Sequence, residues 1–424
     1  MGQEQDLAVI GAGPHALTFC AYLLRQRPQL RERLVIIDPE GWLRRWQHRL
    51  DALGIDTLRS HYTDHPHPDP YALWRFSRSH LQRRLRVHYT PGATLFADFC
   101  RSLVTELGLD EVVCPERAEW IDPASAGLCI GLASGETMRA GRVVLATNPG
   151  VPRLPAWAWD AAGQAPAGRL VHSEQLDVRG LRLADQRVLV LGAGLTAGQL
   201  ALGALAQGAG VVLASRSALR VGVFDVSGCW QVPACLRELH REPVAARRVE
   251  LLRTAKPGGS MTPAVAEALR QPAGPAARTV NLLEGVTVRS ARWKSDHWQV
   301  TVAGHTSEAG RILETDWIWL ATGTTQSVVA EPLLRGLAAT RPAEITEGLP
   351  MLDRACRWPG TQLHVMGGLA SLQIGPFARN LIGARMAAER IVAQLTPLRR
   401  HQYYRGPAIS DHPEIPLAGI SQAW

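Results

Sequence analysis

Two stretches of one form predict an α/β fold: two Rossmann-like dinucleotide-binding domains in a three-layer architecture that serves two dinucleotides. In each stretch an apolar run stops at Gly-x-Gly-x-x-Ala and reopens as a helix. The first is Leu7-Ala8-Val9-Ile10 before Gly11-Ala12-Gly13-Pro14-His15-Ala16. The second is Val188-Leu189-Val190-Leu191 before Gly192-Ala193-Gly194-Leu195-Thr196-Ala197. A third observation is length, because 424 residues exceed what one hydrophobic core usually serves.

The first unit is complete. A helical run over residues 16 to 26 places Leu17, Ala21 and Leu24 at helical spacing, and Arg27-Pro28 stops it. Leu34-Val35-Ile36-Ile37 reads as a second buried strand ending on Asp38. Glycines at 11 and 13 let the backbone approach a pyrophosphate seated on the positive helix N-terminus around Pro14, His15 and Ala16. Asp38 is placed to accept ribose hydroxyls.

Composition bounds the rest. The net charge of +8 comes mostly from Arg, since Lys occurs only at Lys256 and Lys294. The arginines are scattered and no basic run interleaves with aromatics, so neither nucleic acid nor a membrane is expected as a partner. The seven cysteines include no Cys-x-x-Cys pair, and none lies between Cys20 and Cys100, which argues against a flavin disulfide reductase. They read as buried thiols of a cytoplasmic protein, and the polar, acidic N-terminal hexapeptide does not resemble a signal peptide. The apolar stretch 188–214 is broken by glycines, Gln199 and Gln207, as a second nucleotide unit would be and a membrane span would not. His65 and His67 alternate with prolines, without the cysteine or helical His pair that a metal site needs, so no metal is expected.

The second unit ends differently. Its strand Val211-Val212-Leu213-Ala214 closes on Ser215-Arg216-Ser217, with Arg220 beyond, and not on an acid. A carboxylate there would repel a 2′-phosphate, whereas Ser and Arg bind it, which favours NADPH over NADH. The alternative is that Arg216 and Arg220 are surface arginines. Two dinucleotide sites imply a flow of hydride from NADPH to a bound flavin, so FAD is assigned to the first unit.

Arg142-Val143-Val144-Leu145-Ala146-Thr147 and Asp316-Trp317-Ile318-Trp319-Leu320-Ala321-Thr322-Gly323 are related strand-and-turn segments, expected as the two crossings between domains. Thr147, Thr322 and Gly323 are cofactor-contact candidates. The division expected is a discontinuous FAD domain, 1–176 and 316–395, around an NADPH domain, 177–315, with an insertion at about 222–280 that lies over the active site or caps the small domain. Residues 94 to 107 read as a packing helix. The histidine- and proline-rich stretch 42–76 is expected to line the flavin without a long helix.

The order of these motifs resembles the class B flavin monooxygenases, which include flavin-containing monooxygenases, Baeyer-Villiger enzymes and N-hydroxylating ornithine and lysine monooxygenases. The linking segment Gly168-Arg169-Leu170-Val171-His172 carries glycine and histidine at that family's spacing, although Pro166 replaces a phenylalanine. Asp316 through Gly323 is similar to the Asp-x-x-x-Leu/Phe-Ala-Thr-Gly motif of the N-hydroxylating branch, with Thr324 for its tyrosine. Trp46 and His48 resemble its Trp-His pair with one extra residue between. The resemblance implies FAD, NADPH and dioxygen, a flavin hydroperoxide, and oxygen transfer to a small amine or amino acid. Sulfur or ketone oxygenation, or a non-oxygenating reductase, are the alternatives. It also implies cofactor contacts at Trp46, His48 and His172. Arg59 falls near a lysine that holds the substrate carboxylate, against the plainer reading that it pairs with Asp56 or Asp64. Ser60 falls near an asparagine beside the flavin.

Toward the C-terminus, Leu363-His364-Val365 reads as a last strand. A helix is expected over 377–394 with Pro376 in its first turn, and Gln373, Ile374 and Gly375 are candidates to contact the flavin pyrimidine. The tail 396–424 reads as an extended arm suited to a homo-oligomer contact.

Overall fold

The computed structural model describes residues 4–79, 90–147, 150–272, 278–304 and 310–395. The arm at 396–424 and the turn residues Asn148 and Pro149 lie outside them. Four apolar residues in a row suit a strand covered on both faces, and Leu34–Ile37 is buried throughout. It lies parallel to Glu4–Ile10, with Leu7 opposite Leu34 and Ile10 opposite Ile37. On the other side Glu4–Ile10 pairs in parallel with Thr137–Leu145, which in turn carries Leu363–Val365. Leu128–Leu132 and Ala118–Pro123 extend this sheet antiparallel. Helices Pro14–Gln26, Ala93–Glu106 and Leu381–Leu395 bury Leu17, Leu23, Phe96 and Ile391 in one core with Val9, Ile36 and Val144.

The second sheet is wholly parallel, in the order Asn281–Leu283, Gly210–Ala214, Arg187–Leu191, Trp317–Leu320, Leu170–His172. Helix Leu195–Ala206 packs on it, and an antiparallel trio, Val286–Lys294, His297–Gly304 and Arg311–Thr315, adjoins it. Among the described residues no helix is long and apolar enough to cross a membrane.

Three expectations are corrected here. Strands Leu170–His172 and Trp317–Leu320 belong to the second sheet, so the divisions at 176 and 316 fall inside the NADPH-type domain. Ile318 is buried between Leu189 and Leu170, a place only a central parallel strand can occupy. The crossing itself is the short antiparallel pair Val151–Pro152 with Thr324–Thr325. The late helix starts at Leu381 rather than 377: Gly375 takes φ +94°, and two turns, Ala378 N to Gly375 O and Asn380 N to Phe377 O, intervene. The stretch 42–76 holds only short helices, as expected: the nine-residue Arg44–Ala52, launched by Leu43 at φ +63° well before the first proline, and the start of Ala72–Ser79. Finally, Cys229 and Cys235 are disulfide-bonded, while Cys20, Cys100, Cys114, Cys129 and Cys356 are free. Helix Pro233–Arg241 folds back on the turn Gly228–Gln231 and brings the two sulfurs together.

Candidate functional site

Gly11 adopts φ +99°, and a Cβ there would stand 3.1 Å from the Ala146 carbonyl oxygen, so the turn tolerates no side chain. Gly13 caps the following helix, and a Cβ on it would meet nothing within 4 Å. Pro14 occupies the first turn, no acid is present there, and no side chain caps the helix. The open space before these amides fits a pyrophosphate. Asp38 stands where the pattern puts it. Its Oδ2 accepts the Ala12 amide at 2.9 Å, and Oδ1 accepts those of Glu40 and Gly41.

Other residues of this turn face inward. His15 is buried with Nε2 donating to Ala378 O at 3.1 Å, so it ties the glycine turn's helix to the late loop; burial lowers its pKa. Ala16 is fully buried. Thr147 donates its hydroxyl to Glu331, a buried carboxylate that the sequence reading missed. Burial raises the Glu331 pKa, and the Thr147 bond opposes the rise. His172 Nδ1 accepts the Glu174 amide, which leaves Nε2 to donate to Gly323 O at 3.1 Å and link the two crossing segments. Thr322 donates to Arg153 O across the same junction.

The second turn repeats the first. Gly192 has φ +155°, and a Cβ there would meet Ala321 O at 2.4 Å; Gly194 caps the helix without a side-chain bond. Thr196 and Ala197 follow in its first turn. Ser215 is buried with its hydroxyl on Ser217 O, whereas Arg216 and Arg220 are exposed beyond the strand. Arg220 reaches Gly258 O at 3.4 Å.

The insertion comprises helices Pro233–Arg241, Ala245–Ala255 and Pro263–Ala268 and packs over the late loop. Gln373 is held from there: its carbonyl accepts from His240 and Arg390, and its Oε1 accepts from Arg248 at 3.0 Å. Ile374 is buried, and Gly375 lies against Leu236 and Trp230. Trp46 packs against Phe96 with the rings tilted by 52° and lines a cleft of about 320 Å³ with Leu50, Asp51, Asp56 and Thr94. His48 turns away from that cleft's wall to meet Arg179 at 3.0 Å, where Arg179 also grips Asp177.

Arg59 is placed with neither Asp56 nor Asp64, and its guanidinium is fully engaged. All five donors go to the insertion side: Nε to Val223 O, Nη1 to Asp225 and Ser260 O, and Nη2 to Gly222 O and Ser260 Oγ. Ser60, half-buried, follows it. The signal for Arg59's partners lay in Lys256-Pro257-Gly258-Gly259-Ser260, but no local pattern tells which distant arginine a loop will meet.

Two sheets, one mixed and one wholly parallel, each with a glycine turn between parallel strands feeding a helix, joined by one antiparallel crossing, define the fold of the two-dinucleotide-binding flavoproteins. Residues 8–150 match a family model described as FAD-NAD(P)-binding. Over nearly the whole chain the structure is similar to three solved enzymes. A cadaverine monooxygenase of desferrioxamine biosynthesis from Erwinia amylovora, bound to FAD, matches with a TM-score of 0.75 and 18% identity over 98% of this chain and 99% of that one. An ornithine N-hydroxylase from Kutzneria sp. 744, with reduced FAD, NADP+ and L-ornithine, matches with 0.71 and 19% over 92% and 99%. An L-lysine 6-monooxygenase from Pseudomonas syringae matches with 0.71 and 20% over 92% and 99%. The fold is therefore the one these N-hydroxylating monooxygenases share. No curated sequence matches the chain.

Proposed function

We propose that the chain is an FAD- and NADPH-dependent monooxygenase, an oxidoreductase that N-hydroxylates a small amine or amino acid with dioxygen. The observation that carries the reading is the pair of uncapped glycine turns on two sheets that share one crossing, in a fold matched end to end by amine hydroxylases. Gly11, Gly13 and Asp38 would hold FAD; Gly192, Gly194, Ser215, Arg216 and Arg220 would hold NADPH. Bound flavin supplies hydride acceptance and the reaction with dioxygen. The chain binds and orients both dinucleotides, and the insertion over Gln373 and Gly375 keeps water from the reacting face. Because Arg59 is committed elsewhere, a carboxylate anchor at that position is not part of the proposal.

The test is to load the purified chain with FAD and offer NADPH with ornithine, lysine, cadaverine, a thioether and a ketone. Amine-dependent NADPH oxidation with a hydroxylamine product supports the reading. Oxygen found only on sulfur or in an ester product moves it to the alternative chemistry. One observation favours a second reading, NADPH-dependent disulfide reduction: the Cys229–Cys235 bond lies on the insertion beside Trp230 and Leu236, which pack against Gly375. Disulfide turnover that is lost in Cys229→Ser would establish it.

A further inference from the structure

We propose that Arg59 is a positioning residue for NADP(H), the latch by which the flavin-type domain clamps a glycine strap onto the second dinucleotide turn. The inference rests on the dinucleotide reading above and assigns a task to residues that reading leaves unused.

The strap is Lys256-Pro257-Gly258-Gly259-Ser260. A Cβ on Gly259 would stand 2.8 Å from Gly194 Cα and 3.3 Å from Gly194 N, so the two backbones touch, and only glycine fits at 259. The strap thus lies directly on the residue that caps the pyrophosphate helix. Its other edge reaches the candidate 2′-phosphate arginine, since Arg220 bonds Gly258 O, and Met261 N donates to Arg220 O at 2.8 Å.

The strap is held first from within its own insertion and then by one residue of the other domain. Asp225 Oδ1 accepts the Ser260 amide at 2.8 Å and the Ser260 hydroxyl at 2.9 Å, while Oδ2 pairs with Lys256 at 3.3 Å. Arg59 completes this cluster at 2.6 Å from Asp225 and spends its remaining donors on Ser260, Gly222 and Val223. The Arg59 and Asp225 side chains are about four-fifths buried, with exposures of 18% and 21%, so the bonds are weakly screened and directional. All five Arg59 bonds cross from its loop to the strap residue Ser260 or to the segment Gly222–Asp225 beside it. Displacing the guanidinium removes its two bonds to Ser260 and the one that braces Asp225, and so loosens Gly259 against the turn.

The experiment is a titration of FAD-loaded protein with NADP+, read by the flavin absorbance change. Arg59→Met, Asp225→Asn and Gly259→Ala should each raise the NADP+ dissociation constant by about tenfold or more, with FAD content and flavin reduction by dithionite unchanged. The Arg59→Met/Asp225→Asn double variant should be little worse than either single one, because both open one latch. Arg59→Lys should recover part of the affinity. Unchanged NADP+ binding in Arg59→Met and Asp225→Asn overturns the latch, as does an Arg59→Met effect confined to the KM of the amine. If Arg59→Met fails to fold, Ser260→Ala and Gly259→Ala decide: wild-type affinity in both overturns the proposal. Wild-type protein that binds no NADP(H) would remove the dinucleotide reading together with the latch, whereas wild-type binding with unaffected variants removes the latch alone.

Discussion

The Asp38 carboxylate closes the first glycine turn on itself, with Oδ2 accepting the Ala12 amide at 2.9 Å. Its other oxygen takes the Glu40 and Gly41 amides, so three of about four acceptor sites are engaged and one remains for a ribose hydroxyl. Asp38→Ala is therefore expected to lower both FAD occupancy and stability, the latter by roughly 1.5–3 kcal/mol for losing charge-assisted bonds to backbone. Asp38→Asn, which keeps one acceptor, should fall between. Full flavin content in purified Asp38→Ala would refute the ribose contact.

The two turns should be separable by glycine substitution. Gly11→Ala sets a methyl 3.1 Å from Ala146 O at φ +99° and should yield protein poor in FAD. Gly192→Ala meets Ala321 O at 2.4 Å and should retain FAD but bind NADP+ poorly. Flavin absorbance and NADP+ titration of the two proteins check this; loss of FAD from Gly192→Ala would contradict it.

Cofactor preference should reside in the exposed arginines after Ser215. Arg216→Ala and Arg220→Ala should each weaken NADPH by about one to two decades, while NADH changes little. An NADPH/NADH ratio unaltered in both variants would reassign them to the surface. Arg220→Ala should have the larger effect, since it also releases Gly258.

Acid should destabilise the fold through buried histidines. Burial lowers the His65 pKa to about 4, with the Pro70 carbonyl partly opposing it. The unfolded value near 6.5 is higher, so the contribution is full above about pH 6.5 and is lost as pH falls toward 4, by roughly 3 kcal/mol. His15 and His364 are lowered as well, burial again being the chief cause. Urea midpoints measured from pH 7 to 4 should fall less steeply in His65→Leu than in wild type; identical slopes would exclude His65 as a source.

Thiol counting tests the Cys229–Cys235 bond. The oxidised chain should show five thiols in denaturant and seven after reduction. Closing so short a loop stabilises by about 2 kcal/mol on the chain-entropy account, so reduction should lower the unfolding midpoint modestly. Seven thiols before reduction would show the pair to be open.

Both nucleotide units were legible because their signals are local. A buried parallel strand needs a short apolar run, a tight turn needs glycine, and a helix start needs free amides, all within about thirty residues. The helices near 16–26 and 94–107 were found within two residues for the same reason. The late helix was placed four residues early because Pro376 suits a first turn as well as it suits the loop that Gly375 opens.

The domain division was legible only in outline. Leu170–His172 and Trp317–Leu320 are apolar strands that either sheet would accept on composition; only the pairing of Trp317–Leu320 with Arg187–Leu191, and of Leu170–His172 with Trp317–Leu320, assigns them to the second. Arg59 is the clearest case of what sequence leaves open. Its neighbours Asp56 and Asp64 offered nearby carboxylates, yet its partners are Asp225 and Ser260, more than 160 residues away. The residues by themselves determined two glycine turns, their strands and the acid that closes the first. Tertiary structure alone decided that Arg59 meets Asp225, because that contact depends on how two domains are set against each other, and that Cys229 meets Cys235, because a helix folds back on the turn before it; no periodicity along the chain records either.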